Sequence, residues 1–369
     1  MSKRKNTPSP KRRGAPNTPD TVYNGENYLL TPAKRSNDNL LTALKVAISL
    51  GLIAYLLTRP ILRDADWSAI LASLRAWPWL VGLVLYFVAI GLQVFKWQYL
   101  LRTLDVHVSY PALYRHNLIG LFVANLPLSM IGGDIARGWN LARHATGQVP
   151  AIAVSVLVDR LIGFAAYLAG AVLGMAYAVW ILGRADLTWL FTVLSLGLLA
   201  FILGLAALMS GRLRRLLERL FHRGLFHRFL PLYQKLSGAV QGYRTHGHAL
   251  LIALALGLGT VAATCGVNYL AAIAVGADIP LSWIFVLTPL TALAPFLPSI
   301  ASGLGWNQGV FLVLYVELAR LGADQPAAFA GSVLMMSFAM QAIILLSSLP
   351  GAFLWWQRQG TESLPDQPA

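Results

Sequence analysis

Charged side chains inside apolar stretches are costly, and so they mark places where charge is used. Asp134 and Arg137 lie three residues apart, just after Gly132 and Gly133. That spacing puts them on one helical face if a helix starts beyond the glycine pair. The amides of such a helix start form an anion cradle. The planar guanidinium of Arg137 suits phosphate oxygens, with Asp134 orienting it. Asp159 and Arg160 interrupt a second apolar run. As sequence neighbours they point apart, so each needs another partner, and Arg137–Asp159 or Asp134–Arg160 contacts are expected. All four side chains are also readable as structural ion pairs. Lys96, one turn after Gln93, either snorkels to the membrane interface or meets a headgroup. Glu317 and Arg320 read as a structural pair. Asn268 and Tyr269 either line a pathway or pack between helices.

Signatures of covalent chemistry are thin. There is no Ser-centred nucleophile elbow, glycine-rich kinase loop or His cluster with metal spacing. Cys265 is the single cysteine, which excludes an internal disulfide, a multi-cysteine zinc site and an iron–sulfur cluster. No cofactor is implied.

The elements that must hold these residues are membrane helices. The chain is 57% hydrophobic and 12% charged, against about a quarter charged in soluble domains. Apolar spans run approximately 40–58, 78–101, 150–182, 187–210, 248–275 and 329–355. Most of the net charge of +14 sits in two places, a polar tail at 1–39 and a basic segment at 211–248. Basic residues beside apolar spans are the positive-inside signature, so both segments, and the N-terminus, are expected on the cytoplasmic side. No nucleic-acid-binding motif accompanies them, and nucleic acid is not expected as a partner. The tail reads as disordered rather than as a cleaved leader. Within 211–248, Leu213, Leu216, Leu217 and Leu220 recur at helical spacing among arginines, as in amphipathic helices lying on anionic headgroups. A short polar tail, 356–369, ends the chain.

Side assignment then raises a counting problem. If 211–248 is inside, 183–186 is outside, and both flanks of 113–133 fall on the inner side. That stretch carries Asn125, Pro127 and the glycine pair, and so is expected to dip into the membrane and return. The same count applies to 282–321, with Pro289, Pro295, Pro298 and Ser302–Gly305. The expected fold is therefore all-α: a polytopic integral membrane protein with about six full spans plus two broken re-entrant segments, occupying 40–355. Interrupted segments in two halves point to a midplane binding site; kinked structural helices are the plainer alternative.

The runs FVANLPLSMIGGDIARGW, SVLVDRLIGF at 155–164, PSIASGLGWNQG at 298–309 and FKWQYLL at 95–101 resemble the transmembrane region of lysylphosphatidylglycerol synthases, a flippase-like family that includes stand-alone prokaryotic members. The resemblance marks Pro127, Gly132, Gly133, Asp134, Arg137, Asp159, Arg160, Gly303 and Gly305. Relatives often carry Glu where this chain has Gln308, which bears on any proton coupling. No soluble aminoacyl-transferase domain is expected here, and so neither is lysyl transfer. The resemblance implies a lipid transporter of a prokaryotic cytoplasmic (inner) membrane, moving a phospholipid or polyprenyl-linked lipid with a polar or anionic headgroup. Arg137, Arg160 and Lys96 would bind phosphate. Two alternatives stay open: a membrane-embedded glycosyltransferase using Asp134 or Asp159, and a non-catalytic partner in envelope assembly.

Overall fold

The computed structural model describes residues 35–125, 130–144, 148–209, 241–244, 246–294 and 305–362. The chain divides into two units, Met1–Leu41 and Thr42–Ala369. Of the first, only residues 35–41 are described, as the opening turns of α1; everything below concerns the second.

In chain order the helices begin with α1 (Arg35–Thr58), the short α2 (Pro60–Arg63) and α3 (Trp67–Ala72), and α4 (Ala76–Arg102). The pair α5 (Tyr110–Asn125) and α6 (Met130–His144) precedes α7 (Val149–Trp180) and α8 (Thr188–Met209). Then come α9 (Gly247–Ala274), α10 (Leu281–Leu293), α11 (Trp306–Leu312) with a π-helical continuation at Val313–Leu318, and α12 (Pro326–Glu362). The described residues contain no strand. Five helices are long and apolar enough to cross a membrane, and α1 adds the apolar stretch Ala47–Thr58. Five candidate spans and this shorter apolar stretch make an all-α polytopic membrane fold.

Lipid explains the outer surface. α8 exposes Trp189, Val193, Leu196, Leu199 and Ile202, and α4 exposes Leu80, Val84, Val88 and Phe95. In water such contiguous apolar faces would drive association. Inside the bundle α4 packs along α9, while α7 packs against α6, α9 and α10. α5 and α6, of 16 and 15 residues, are each about 23 Å long, short of the roughly 30 Å a hydrocarbon core requires. They pack on each other as a helical hairpin. A Cβ on Gly133 would sit 2.5 Å from the Gly120 carbonyl oxygen and 2.6 Å from Ala124 Cβ, so only glycine permits this approach.

Boundaries differ from expectation in three places. α1 already includes residues 35–39 of the polar tail, and α12 continues to Glu362, inside the 356–369 tail. Once apolar turns have nucleated a helix, adding a polar residue costs little. α6 begins at Met130, so Gly132 and Gly133 lie within its first turn rather than before it. Pro289 is inside α10 and does not break it. Its ring packs at Gly170 of α7, where an added Cβ would lie 3.3 Å from Pro289 Cγ. Proline is tolerated in membrane helices where neighbouring helices satisfy the freed groups. The basic segment falls almost wholly outside the described residues. Of its end, Tyr243 is buried, its hydroxyl donating to the Leu100 carbonyl at 2.9 Å.

Candidate functional site

The hairpin, α4 and α7 bring five charges into one line. Lys96 Nζ lies 3.0 Å from Asp159 Oδ1. The other oxygen of Asp159 accepts from Arg137 Nη2 at 2.8 Å. Arg137 Nε is 3.0 Å from Asp134 Oδ1, and the second oxygen of Asp134 pairs with Arg160 Nε. Cation and anion alternate from Lys96 to Arg160, and among the described residues three are positive and two negative, an excess of one positive charge. Both contacts expected from the sequence, Arg137–Asp159 and Asp134–Arg160, are present. Asp159 and Arg160, though adjacent, do not pair with each other.

Arg137 is the junction. Its fork reaches two carboxylates and also donates from Nη1 to Asn117 Oδ1 at 3.3 Å. Its guanidinium lies 4.7 Å from the centroid of the Trp97 ring. A lysine ammonium could not serve three acceptors in one plane and stack on an indole. Trp97 is itself fixed, its Nε1 donating to Ser155 Oγ at 3.1 Å. Asn117, Trp97 and Ser155 had no role assigned from sequence. The signal was faint: an amide, an indole and a hydroxyl within otherwise apolar runs.

Burial is graded along the line. The side chains of Lys96, Asp159 and Arg137 are 5%, 2% and 3% exposed, Asp134 is 16% exposed and Arg160 is 37% exposed. Lys96 therefore does not snorkel. It turns into the bundle because the Asp159 carboxylate, at 3.0 Å, offers an ion pair that the interface does not. The accessible end of the line is Arg160.

The remaining expected residues fall elsewhere. Gly133 serves hairpin packing, not an open anion cradle, and Gly132 beside it lies in the same first turn of α6. Asn125, at the end of α5, keeps a buried Nδ2 with no hydrogen-bond partner among the described residues. Pro127 and Gly303 lie outside the described residues. Gly305 has φ +83°, and a Cβ there would meet Leu52 Cβ at 2.7 Å. The Gln308 side chain reaches back so that Oε1 accepts from the Gly305 N–H at 2.6 Å, closing the start of α11. Glu317 pairs with Arg59 at 3.5 Å instead of Arg320. The π-helix and the left-handed Arg320, φ +54°, carry the two side chains off a common face.

Among the described residues neither α5 nor α6 touches α10 or α11. The breaks at 126–129 and 295–304, where the two interrupted segments were expected to enclose a binding site, lie outside the described residues. The described parts of both segments pack on α7, at separate levels. The charges gather at Asp159 and Arg160, while α10 packs at Gly170 and Gly174, about 15 Å further along the helix. A groove of about 550 Å³ lies away from the charges, on the apolar side of α4 and α5, between Val84, Phe87, Gly91, Phe95, Tyr110 and Tyr114.

A bundle of membrane helices with a short helical hairpin and a buried line of alternating charge defines a polytopic membrane protein that keeps ionised groups inside the bundle. The chain belongs to the family described as the lysylphosphatidylglycerol synthase TM region, whose match spans residues 42–352. Membership places it among membrane proteins of lipid metabolism or transport. No curated protein and no solved structure matches the chain.

Proposed function

We propose that the chain moves a lipid with an anionic headgroup, a phospholipid or a polyprenyl-linked lipid, across the inner membrane of a prokaryote, with its N-terminus and basic segment on the cytoplasmic side. The observation that carries this reading is the excess positive charge among the described side chains, sited at the accessible end of an otherwise buried line. A cation partly sheltered among apolar helices favours an anion that balances it. A headgroup phosphate at Arg160 would exchange one anionic oxygen partner, Asp134, for another of the same kind. Arg137, Lys96 and Asp159 hold the remainder of the line in register. The tails stay in lipid throughout.

The glycosyltransferase alternative requires a carboxylate free to act as base or ligand, and Asp134 and Asp159 are each held by two cations. The test is a leaflet-sidedness assay in proteoliposomes with a fluorescent anionic phospholipid. Wild-type protein is expected to redistribute the label between leaflets, and Arg160→Gln to lose that activity while remaining folded. A covalent product from a labelled lipid-linked sugar would favour the transferase. Unchanged redistribution by Arg160→Gln would end the present proposal.

A further inference from the structure

A second polar group lies deeper along α7, clear of the charges. Tyr167, seven residues beyond Arg160, directs its hydroxyl to Thr264 of α9. Next on α9 are Cys265 and Asn268. Across from them Thr288 of α10 faces both the Cys265 thiol and the hydroxyl of Tyr315, which sits in the π-helical segment. Asn268, Thr288 and Tyr315 are 2%, 0% and 0% exposed. Even so, among the described residues Asn268 Oδ1, Thr288 Oγ1 and the Tyr315 hydroxyl find no aligned hydrogen-bond partner. Three such groups on three elements are too many to leave unpaired in an apolar interior. Donors and acceptors are both present, and none is charged, a set that suits water rather than an ion. A π-helical turn at this position is a second sign, since such turns recur at functional sites.

We propose that Asn268, Thr288 and Tyr315, with Cys265 beside them, line an internal water site between α7, α9, α10 and the π-helical turn. It forms the far half of the polar route whose near half is the charged line. Its role as a route rests on the lipid translocation proposed above; its hydration does not.

X-ray radiolytic footprinting of the full chain in lipid nanodiscs, in ¹⁸O-labelled water, tests this directly, because hydroxyl radicals formed from a bound water oxidise the side chains beside it. Met175 and Met336 supply the internal standard, being 0% exposed and of a type that radicals attack readily. Cys265 and Tyr315 are expected to take up ¹⁸O several-fold faster than either methionine. Thr288→Val is expected to suppress that uptake and Thr288→Ser to retain it. Uptake at Cys265 and Tyr315 no faster than at the methionines, or uptake unaltered by Thr288→Val, overturns the water site. Strong uptake in a protein that moves no lipid supports the water site and removes only the route assigned to it.

Discussion

Arg137 alone touches both carboxylates of the buried line, and its loss leaves an anion at each side of the gap. Arg137→Ala should therefore destabilise the protein by roughly 3–5 kcal/mol, the range for breaking a buried pair by removing one partner. Thermal unfolding in detergent would register this as a lowered midpoint. Arg137→Lys should recover only part, because an ammonium cannot hold Asp159, Asp134 and Asn117 together. Arg160 is the contrast. At 37% exposure its ion pair stabilises by at most about 1 kcal/mol, so Arg160→Gln should unfold near the wild-type midpoint yet move no lipid. Equal loss of stability in the two variants would show that the line is structural from end to end. At this scale the sequence was informative about Arg137, Asp159, Asp134 and Arg160, because charges in apolar runs must find each other. It left Lys96 open between the interface and a headgroup, because the direction of that side chain depends on a carboxylate more than sixty residues away.

At the scale of elements, the hairpin and the start of α11 are each set by one residue type. In Gly133→Ala the new methyl would meet backbone at 2.5 Å, and α5 and α6 would have to separate. A loss of roughly 1–3 kcal/mol is expected from such overpacking, with Arg137 drawn off Asp159. Gly138→Ala, on the same helix, meets nothing closer than 3.4 Å and should match wild type in the same unfolding assay. Gln308→Leu removes the acceptor of the Gly305 N–H and should cost about 1 kcal/mol, whereas Gln308→Glu keeps it. Comparing lipid movement by wild type and Gln308→Glu across an imposed pH gradient would show whether an acid here adds proton dependence. The break in each half was visible as proline and glycine. Which proline breaks a helix was not: Pro289 stays helical because α7 presents Gly170 to its ring.

For the whole molecule, the turn between α7 and α8 is tied to the second half. Arg184 donates to the Leu318 and Ala319 carbonyls at 2.8 and 2.6 Å while holding Asp186. The hydrogen bond from Arg184 keeps the Asp186 carboxyl below its ordinary value of 3.8. A depressed folded value stabilises above the unfolded one and is lost as pH falls through it. The midpoint difference between wild type and Asp186→Asn should thus be constant near neutrality and fade below about pH 4. Sidedness is the other global prediction. Cysteines placed at Ser68 and Asp186 in a Cys265→Ala background should react with an impermeant thiol reagent from one face of the membrane, and a cysteine in 211–248 from the opposite face.

Hydropathy and charge by themselves determined that this is an all-α polytopic membrane protein, since lipid allows few other ways to satisfy a backbone. They also singled out the residues of the charged line, since an ionised group at depth has so few options. Only the tertiary structure decided who pairs with whom, that Lys96 turns inward, and that the described parts of the interrupted segments pack on α7 at separate levels. Those outcomes depend on close packing between distant helices, through glycines at 120, 133, 170 and 174. Nothing local in a sequence tells which neighbour a missing Cβ admits.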